Sequence, residues 1–411
     1  MGDTSQYALE TASPTMLSRL LESYQPGWSL AGAFYKDENI FKLEVEKIFA
    51  RRWLFVGHVS QVPESGDYFT YSIIDESIII TRDESGELRA FHNVCRHRGA
   101  RVCTQTSGHS SCFICSYHQW VYGLDGSLVA SRFTGPDFNG AKFGLQAVAV
   151  RLVEGLIFIC LGDYPPDCHE IDSDLRAHLR LHDLATAKIC STRRYMVRAN
   201  WKLIDENARE CYHCPGSHPE YCGAVISAAA ATSATAQERV RSVQTSQESR
   251  WRDWGLETEG KPFRAGKHHS INRYALHPGA VTESLDGKPV APLMGKLPHR
   301  DVGVVGIGIY PNLLAEACSD HAVTLRFTPI SPELTEVEMQ WLVRKDAQPG
   351  IDFDVEQVEA VWRATAEQDW KLCELNQQGV NSSAYRPGSY TTLEWGCDHF
   401  DQWCVEQLRS S

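Results

Sequence analysis

The sequence predicts an α+β protein in which a small antiparallel β region precedes a larger mixed one. Three observations carry this prediction. From about Trp53 to Gly162, short runs of β-branched and aromatic residues alternate with turn signals. From about 245 to 345, strand-like runs return, such as VGVVGIGIY and HAVTLRFTPI, punctuated by Gly and Pro. The last clear element is a long helix, DFDVEQVEAVWRATAEQDWKLCELNQQG, with apolar residues at helical spacing. At 411 residues the chain can bury two or more cores, and 43% hydrophobic with 22% charged residues is an ordinary soluble composition.

Taken in order, residues 1–50 form a helical lead-in, since IFKLEVEKIFARRWLFVGH keeps helical spacing up to Ala50 before turning strand-like. YFTYSIIDESIIITRDESGELRAFHNV then reads as strands joined at DES and DESG. Residues 163–190 are rich in Asp, Pro and His and suit a linker with a short helix. An alanine-rich stretch, AVISAAAATSATAQERV, follows VRANWKLIDENARECYHCPGSHPE and is helical or of low complexity. The long helix begins near Asp352 and Asp354, with Gly379 as its expected stop. No internal repeat is found, and no apolar run reaches the length of a membrane span. The N-terminus lacks the pattern of a secretory signal, and fourteen scattered cysteines do not form a secreted disulfide scaffold, so a cytoplasmic protein with reduced thiols is expected. A net charge of −12 without a basic cluster argues against nucleic-acid binding and mildly favours a cationic ligand.

The chemistry concentrates in two stretches. In CRHRGARVCTQTSGHSSCFICSYH, two pairs stand out: Cys95-x-His97 and, after a gap of seventeen residues, Cys115-x-x-His118. Two loops that each give one thiolate and one imidazole suit a Rieske [2Fe–2S] cluster, with Cys₂ on one iron and His₂ on the other. Zinc also accepts Cys₂His₂, although this is not the usual finger spacing. Cys103 and Cys112 lie farther from the ligand pairs than the disulfide cysteines of respiratory Rieske proteins and are expected as free thiols. His109, on a Gly/Ser loop, is expected in solvent.

The second stretch, ENARECYHCPGSHPE, holds Glu206, Glu210, His213 and His218 within thirteen residues. On a helix, Glu210 and His213 would share a face. Pro215 and Gly216 are expected to break that helix after Cys214 and swing His218 back toward His213. Two histidines and a carboxylate with open positions make the facial triad of mononuclear non-haem Fe(II) oxygenases. Glu210 is the nearest carboxylate. The alternative is Asp369, the charged member of a stripe on the long helix, in which Val358, Trp362, Thr365, Asp369 and Leu372 recur at spacings of 4, 3, 4 and 3. A carboxylate in such a stripe must be paired or bound to metal, and Arg363 or Arg386 could equally be its partner. His268, His269 and His277 carry no such pattern.

Together the stretches resemble the oxygenase (α) component of the Rieske non-haem iron oxygenases, in CRHRG with CSYHQWVYGLDG and in NWKLIDENARECYHCPGSH. The resemblance runs from about residue 30 to the C-terminus. Within the family it is similar to the branch acting on quaternary ammonium compounds, in EQDWKLCELNQQGVNSSAYRPGSY and SLDGKPVAPLMGK. The resemblance implies that Cys95, His97, Cys115 and His118 bind the cluster and that His213, His218 and Asp369 bind the mononuclear iron. Glu210 stands where the aromatic-ring dioxygenases place an aspartate, which in the family bridges a neighbouring subunit's Rieske histidine to an iron-ligating histidine. The glutamate moves the expected substrate away from an aromatic hydrocarbon. The implied fold is a Rieske β domain over 51–163 and a helix-grip (START/Bet v 1-like) catalytic domain over 164–411, against which the lead-in packs. A homotrimer and an NAD(P)H-dependent flavin/iron–sulfur reductase are the implied partners.

The reaction so implied is hydroxylation of an N-methyl carbon of a betaine, with O₂ as co-substrate, giving N-demethylation and formaldehyde. Choline, carnitine or aromatic-ring hydroxylation is the alternative, and a pure electron carrier would have no use for the second motif. Cation–π contacts suit a quaternary ammonium. Trp251, Trp254, Tyr274 and Tyr310 are candidates for such a cage, and Arg273 for a substrate carboxylate.

Overall fold

A computed structural model describes residues 14–409; the first thirteen residues of the expected lead-in and the last two of the chain lie outside it. The lead-in comprises α1 (Pro14–Ser23), a 3₁₀ turn at Gly32–Tyr35 and α2 (Glu38–Glu44), which continues as a π turn through Phe49. Asp37 caps α2, its carboxylate accepting from the backbone of Asn39 and Ile40. Leu30, Phe34, Tyr35 and Ile40 bury themselves against Leu203 from mid-chain and Val380, Val405 and Leu408 from the far end of the chain. Backbone bonds lace the two ends together: Ser29 N donates to Gly388 O (2.9 Å) and Tyr390 N to Gly27 O (2.8 Å).

The first β region holds β1 (Leu54–His58), β2 (Asp67–Ile73), β3 (Glu76–Arg82), β4 (Leu88–His92), β5 (Ser107–His109), β6 (Phe113–Ile114), β7 (Val121–Tyr122), β8 (Leu128–Ala130), β9 (Ala149–Val153) and β10 (Leu156–Cys160). They form three antiparallel sheets in the orders β1-β10-β9, β4-β3-β2-β5 and β6-β7-β8. The run Ile78–Ile80 is buried on both faces. Ile78 and Ile80 enter the core shared with Phe69, Tyr71 and Trp201, whereas Ile79 packs under the cysteine loops with Phe91, Cys95 and Cys115.

The second region holds α3 (His169–Leu179), β11 (Lys188–Val197), α4 (Trp201–Asn207), α5 (Cys214–Ser217), α6 (Pro219–Ala224), α7 (Ala234–Asp253), β12 (His269–Tyr274), β13 (Val304–Ile309), β14 (Leu313–Ala317), β15 (His321–Ser331), β16 (Leu334–Val343), α8 (Val355–Asn381) and α9 (Trp395–Arg409). Its sheet is antiparallel in the order β11-β16-β15-β14-β13-β12. One face carries Val323, Leu325, Phe327, Met339 and Trp341 and grips α8 through Val358, Trp362, Ala366, Trp370 and Cys373. The other face, with Ile271, Ile307 and Leu313, packs on α3 and on Phe55 and Phe158 of the first region. This is the expected α+β architecture, an antiparallel β region beside a helix-grip sheet.

Two local expectations need correction. Helix α8 does not stop at Gly379; it runs to Asn381, because Gly379 stays in the ladder and its carbonyl accepts from Ser382 N at the end of the helix. Its start is capped by Asp354, which accepts from Glu356 N. The alanine-rich stretch enters α7 only in its second part: α7 begins at Ala234, after an N-cap at Ser233, and Ala228–Ala230 form a 3₁₀ turn before it. Among the described residues no helix is long and apolar enough to cross a membrane.

Candidate metal centres

The two cysteine loops are copies of one turn. Gly99 N donates to Cys95 O (2.9 Å) and Cys95 N to Ala100 O (2.8 Å); Gln119 N donates to Cys115 O (3.0 Å) and Cys115 N to Trp120 O (2.9 Å). Each turn needs a left-handed residue four places after its cysteine, supplied by Gly99 at φ +78 and, against its preference, by Gln119 at φ +59. The thiols of Cys95 and Cys115 are buried, whereas His97 and His118 are exposed, with ring centroids 4.5 Å apart. His97 stacks on Trp120 at 4.8 Å, and the Tyr122 hydroxyl sits 3.2 Å from Cys95 Sγ. Paired thiols inside and paired imidazoles outside suit two metal atoms with different ligands, as a Rieske cluster requires. Cys103 and Cys112 are free thiols, and burial pushes Cys103 up to about 12. His109 is exposed as expected but not alone, its Nδ1 lying 2.9 Å from Asp67 Oδ1.

The second centre is assembled from distant parts. Asp369 Oδ1, on α8, lies 3.2 Å from His213 Nε2 and 2.9 Å from His218 Nε2. The His218 contact is close but out of line for a hydrogen bond, so that this nitrogen is buried without a hydrogen-bond partner. Ligands at right angles, each about 2.1 Å from a metal, stand about 3.0 Å apart, so the spacing of Asp369 from each imidazole fits donors that share one ion. The opposite ring nitrogens are held from behind. Glu210 bonds His213 Nδ1, and Gln368 Oε1 lies 2.8 Å from His218 Nδ1. Burial disfavours charge on His213, but Asp369 and Glu210 outweigh it and raise the imidazole to about 9. Burial likewise opposes the Asp369 charge, and the two imidazoles still hold its carboxyl below the usual range. The alternative partners of Asp369 are engaged elsewhere: Arg363 pairs with Glu356 and Glu359, and Arg386 donates to backbone carbonyls of Ser383 and Tyr385.

Local geometry departs from the helical expectation. Glu210 and His213 do not share a helix face, because α4 ends at Asn207; Glu210 reaches His213 by folding back in a turn, where its carboxylate also accepts from Tyr212 N. Pro215 and Gly216 do not break a helix either. They lie inside α5, where proline is tolerated in the first turn, and the break falls at His218 (φ −126, ψ 70), immediately before Pro219. Glu206 is also off the centre, buried beneath Tyr35, whose hydroxyl donates to it at 2.9 Å.

Of the proposed aromatic cage, only Tyr274 lies toward the gripped helix. Trp251 is fully buried in the core on the other face of the sheet, donating to Asp301 O. Trp254 stacks on His299, and Tyr310 stacks on Phe263 beneath Arg209. Arg273 likewise faces away, its guanidinium spent on the carbonyls of Glu257, Val302 and His178. Alternation along β12 separates Arg273 from Tyr274, and aromatic content does not reveal it.

Several residues escaped the sequence reading. Gln368 could have been suspected only from its place beside Asp369. Asn207 Nδ2 lies 3.4 Å from His213 Nε2. Cys211 and Cys214 form a disulfide around His213, contrary to the expected reduced thiols; the C-x-x-C spacing was the overlooked signal. Cys214 is near both imidazoles but, so bonded, offers no thiolate. His269 joins Asp174 (3.0 Å) and Glu170, while Lys267 already pairs with Glu170. A cavity of 550 Å³ opens beside His213, lined by Glu206, Asn207, Glu210, Leu372 and Cys373 among others.

Residues 52–147 match the Rieske [2Fe-2S] domain, and residues 184–410 match the catalytic domain of ring-hydroxylating alpha subunits. The chain therefore belongs to the Rieske non-haem iron oxygenases, enzymes whose cofactors are a Rieske [2Fe–2S] cluster and a mononuclear non-haem iron. It is 39% identical over 398 residues to the glycine betaine monooxygenase oxygenase subunit of Chromohalobacter salexigens, covering 95% of this chain and 88% of that one. The subunit of the same name from Pseudomonas aeruginosa is 36% identical over 395 residues, covering 95% and 91%. Among solved structures, a quaternary ammonium Rieske monooxygenase with bound L-carnitine superposes with a TM-score of 0.72 at 21% identity, covering 98% of this chain and all of that one. Naphthalene 1,2-dioxygenase from Rhodococcus reaches 0.67 at 19%, covering 97% and 98%. These last two likenesses establish the shared fold.

Proposed function

We propose that this chain is the terminal oxygenase of a betaine N-demethylase: it hydroxylates an N-methyl group of a glycine betaine or proline betaine type substrate, and the resulting hemiaminal releases formaldehyde. The observation that carries the reading is the placement of Asp369 between the Nε2 atoms of His213 and His218, with Glu210 behind His213. The glycine betaine monooxygenase relatives, similar over nearly the whole chain, support the substrate class.

In this reading Cys95, His97, Cys115 and His118 hold the cluster, and His213, His218 and Asp369 hold the iron, which supplies O₂ activation when bound. Glu210 and Gln368 fix the two imidazoles with Nε2 directed at the metal position. An NAD(P)H-dependent flavin/iron–sulfur reductase delivers electrons at the exposed His97–His118 edge. A homotrimer brings that edge of one subunit to the Glu210–His213 side of the next, so that Glu210 is the bridge between centres. Exposed Ile114 and Tyr117 near the first and Tyr212, Leu375 and Trp395 near the second are apolar surfaces suited to such a contact. Domain limits of 51–163 and 164–411, with the lead-in before them, and a cytoplasmic location complete the proposal.

The test is substrate-dependent NADH and O₂ consumption with a matched reductase, read together with formaldehyde. Formaldehyde from glycine betaine or proline betaine is expected. Uptake of O₂ without formaldehyde from any betaine overturns the reading and directs attention to choline or ring hydroxylation. About three irons per chain are expected, against about two for a simple Rieske carrier.

A further inference from the structure

Beyond the iron donors, the space between the sheet and α8 contains a second cluster with no assigned role. Two carboxylates meet there, Glu283 and, on β14, Glu316, both buried. The Tyr274 hydroxyl donates to Glu316 and lies 3.2 Å from Glu283 Oε1. Trp362 Nε1 donates to Glu283 Oε2 at 2.8 Å, and Cys318 Sγ lies 3.4 Å from the same oxygen. All these partners are neutral, and neither carboxylate has a Lys or Arg nitrogen within 4 Å among the described residues. A buried anionic pair without a cation is costly, and burial together with the neighbouring Glu283 pushes the Glu316 carboxyl well above its ordinary range.

Three rings enclose the carboxylates. Tyr221 and Trp362 meet edge to face at 5.7 Å, and the Tyr221 and Tyr274 hydroxyls are 3.5 Å apart. Gly306 lies opposite Glu316 in the sheet, and any side chain there would press on the Tyr274 ring (3.2 Å) and approach Glu316 Oε1 (3.7 Å), so the glycine lets both side chains lie close over the strand. Behind the cluster, His321 is 1% exposed and bonded to Asp320 through Nδ1 (2.8 Å). Its Nε2 has no hydrogen-bond partner and feels the charge of Glu283. From the outer side, a cavity of 410 Å³ between α7 and β12, lined by Ile226, Val240 and Gln244, reaches Tyr274.

The cluster is also in line with the iron donors. Tyr221 follows His218 by three residues on α6. Trp362 precedes Asp369 by seven residues on the same face of α8, about 10 Å along its axis. A quaternary ammonium has no N–H to donate and cannot lose its charge; aromatic faces and carboxylates that lack a cationic partner are the groups that attract it.

We propose that Glu283 and Glu316, with the rings of Tyr221, Tyr274 and Trp362, form the subsite that recognises the quaternary ammonium head of the substrate. The inference rests on the betaine reading above and identifies the residues that would enforce it.

The test compares glycine betaine with tert-butylacetate, its carbon isostere with a neutral head, binding to anaerobic holoenzyme by calorimetry. The native enzyme should prefer glycine betaine by about tenfold or more, and Glu316→Gln and Glu283→Gln should each lose most of that preference by weakening betaine binding while sparing tert-butylacetate. Iron content and the cluster spectrum check that the variants are folded. Native enzyme that binds both ligands equally overturns the subsite whether or not the variants fold. Variants that keep the native preference also overturn it, while formaldehyde formation by the native enzyme leaves the proposed reaction standing. If the native enzyme neither binds nor turns over any quaternary ammonium, both proposals fall together.

Discussion

The two centres are built in opposite ways. The four proposed cluster donors come from one stretch, Cys95 to His118, and each loop closes on its own backbone bonds with one left-handed residue. The proposed iron donors come from a short turn and from a helix far along the chain, and they meet only because α8 is gripped by the sheet through Val358, Trp362, Ala366 and Trp370. The first centre is local and the second is a product of tertiary packing. Damage to one should therefore leave the other measurable.

The largest effects come from the donors themselves. Asp369→Ala or His213→Ala should abolish turnover and reduce the iron content from about three to about two per chain while preserving the cluster's visible spectrum. Cys115→Ala should do the reverse, and loss of both centres in either variant would break the distinction. Next comes Glu210→Gln, which should lower turnover by about 10–100-fold. Its iron content should be unchanged and its cluster reducible, so the defect would appear as slow reoxidation of reduced cluster in the presence of substrate and O₂. Smaller still, Gln368→Ala should weaken iron retention by about tenfold, measured by chelator competition, because His218 loses the partner that fixes its ring.

The smallest effect concerns the seam that both centres share. His58 ends β1 with Nε2 2.9 Å from Leu184 O, and burial, only partly offset by that carbonyl, pushes it down to about 4. The folded chain thus keeps this imidazole neutral at a pH where the unfolded chain, near 6.5, takes up a proton. Its contribution is complete above pH 6.5 and is lost as pH falls toward 4, by up to about 3 kcal/mol. Thermal melts should show this acid loss in the native enzyme and a flatter profile in His58→Gln, with cluster absorbance and iron released together.

This contrast also explains what the sequence revealed. Spacing singled out Cys95, His97, Cys115 and His118 as one candidate set, with zinc left as the alternative, because a local turn is written in consecutive residues. His213 and His218 were visible as a motif, although the turn that joins them was assigned to the wrong residues: Pro215 fits inside α5, and the constraint from Pro219 acts on His218. Asp369 was visible only as one charged member of an apolar stripe, and its choice over an arginine partner depended on family resemblance. Trp251, Trp254, Tyr310 and Arg273 were misplaced because the side to which a residue turns depends on strand register for Arg273 on β12 and on how α7 and the loop after β13 pack for the others, which composition does not encode. The pairing of Glu283 with Glu316 has no local signature at all, since loop and strand meet only in the folded chain.

The lacing of the chain's two ends has a further consequence. Gly27 and Ser29 are tied to Gly388 and Tyr390, and Gly27 N also donates to Asp398 Oδ1 at 2.6 Å. Ser29, Tyr385, Gly388 and Tyr390 line the same cavity as Glu210 and His213. Hydrogen exchange in the segments around residues 27–30 and 385–390 should therefore rise and fall as one unit, and a protease cut in either should loosen the wall through which the two centres are proposed to communicate.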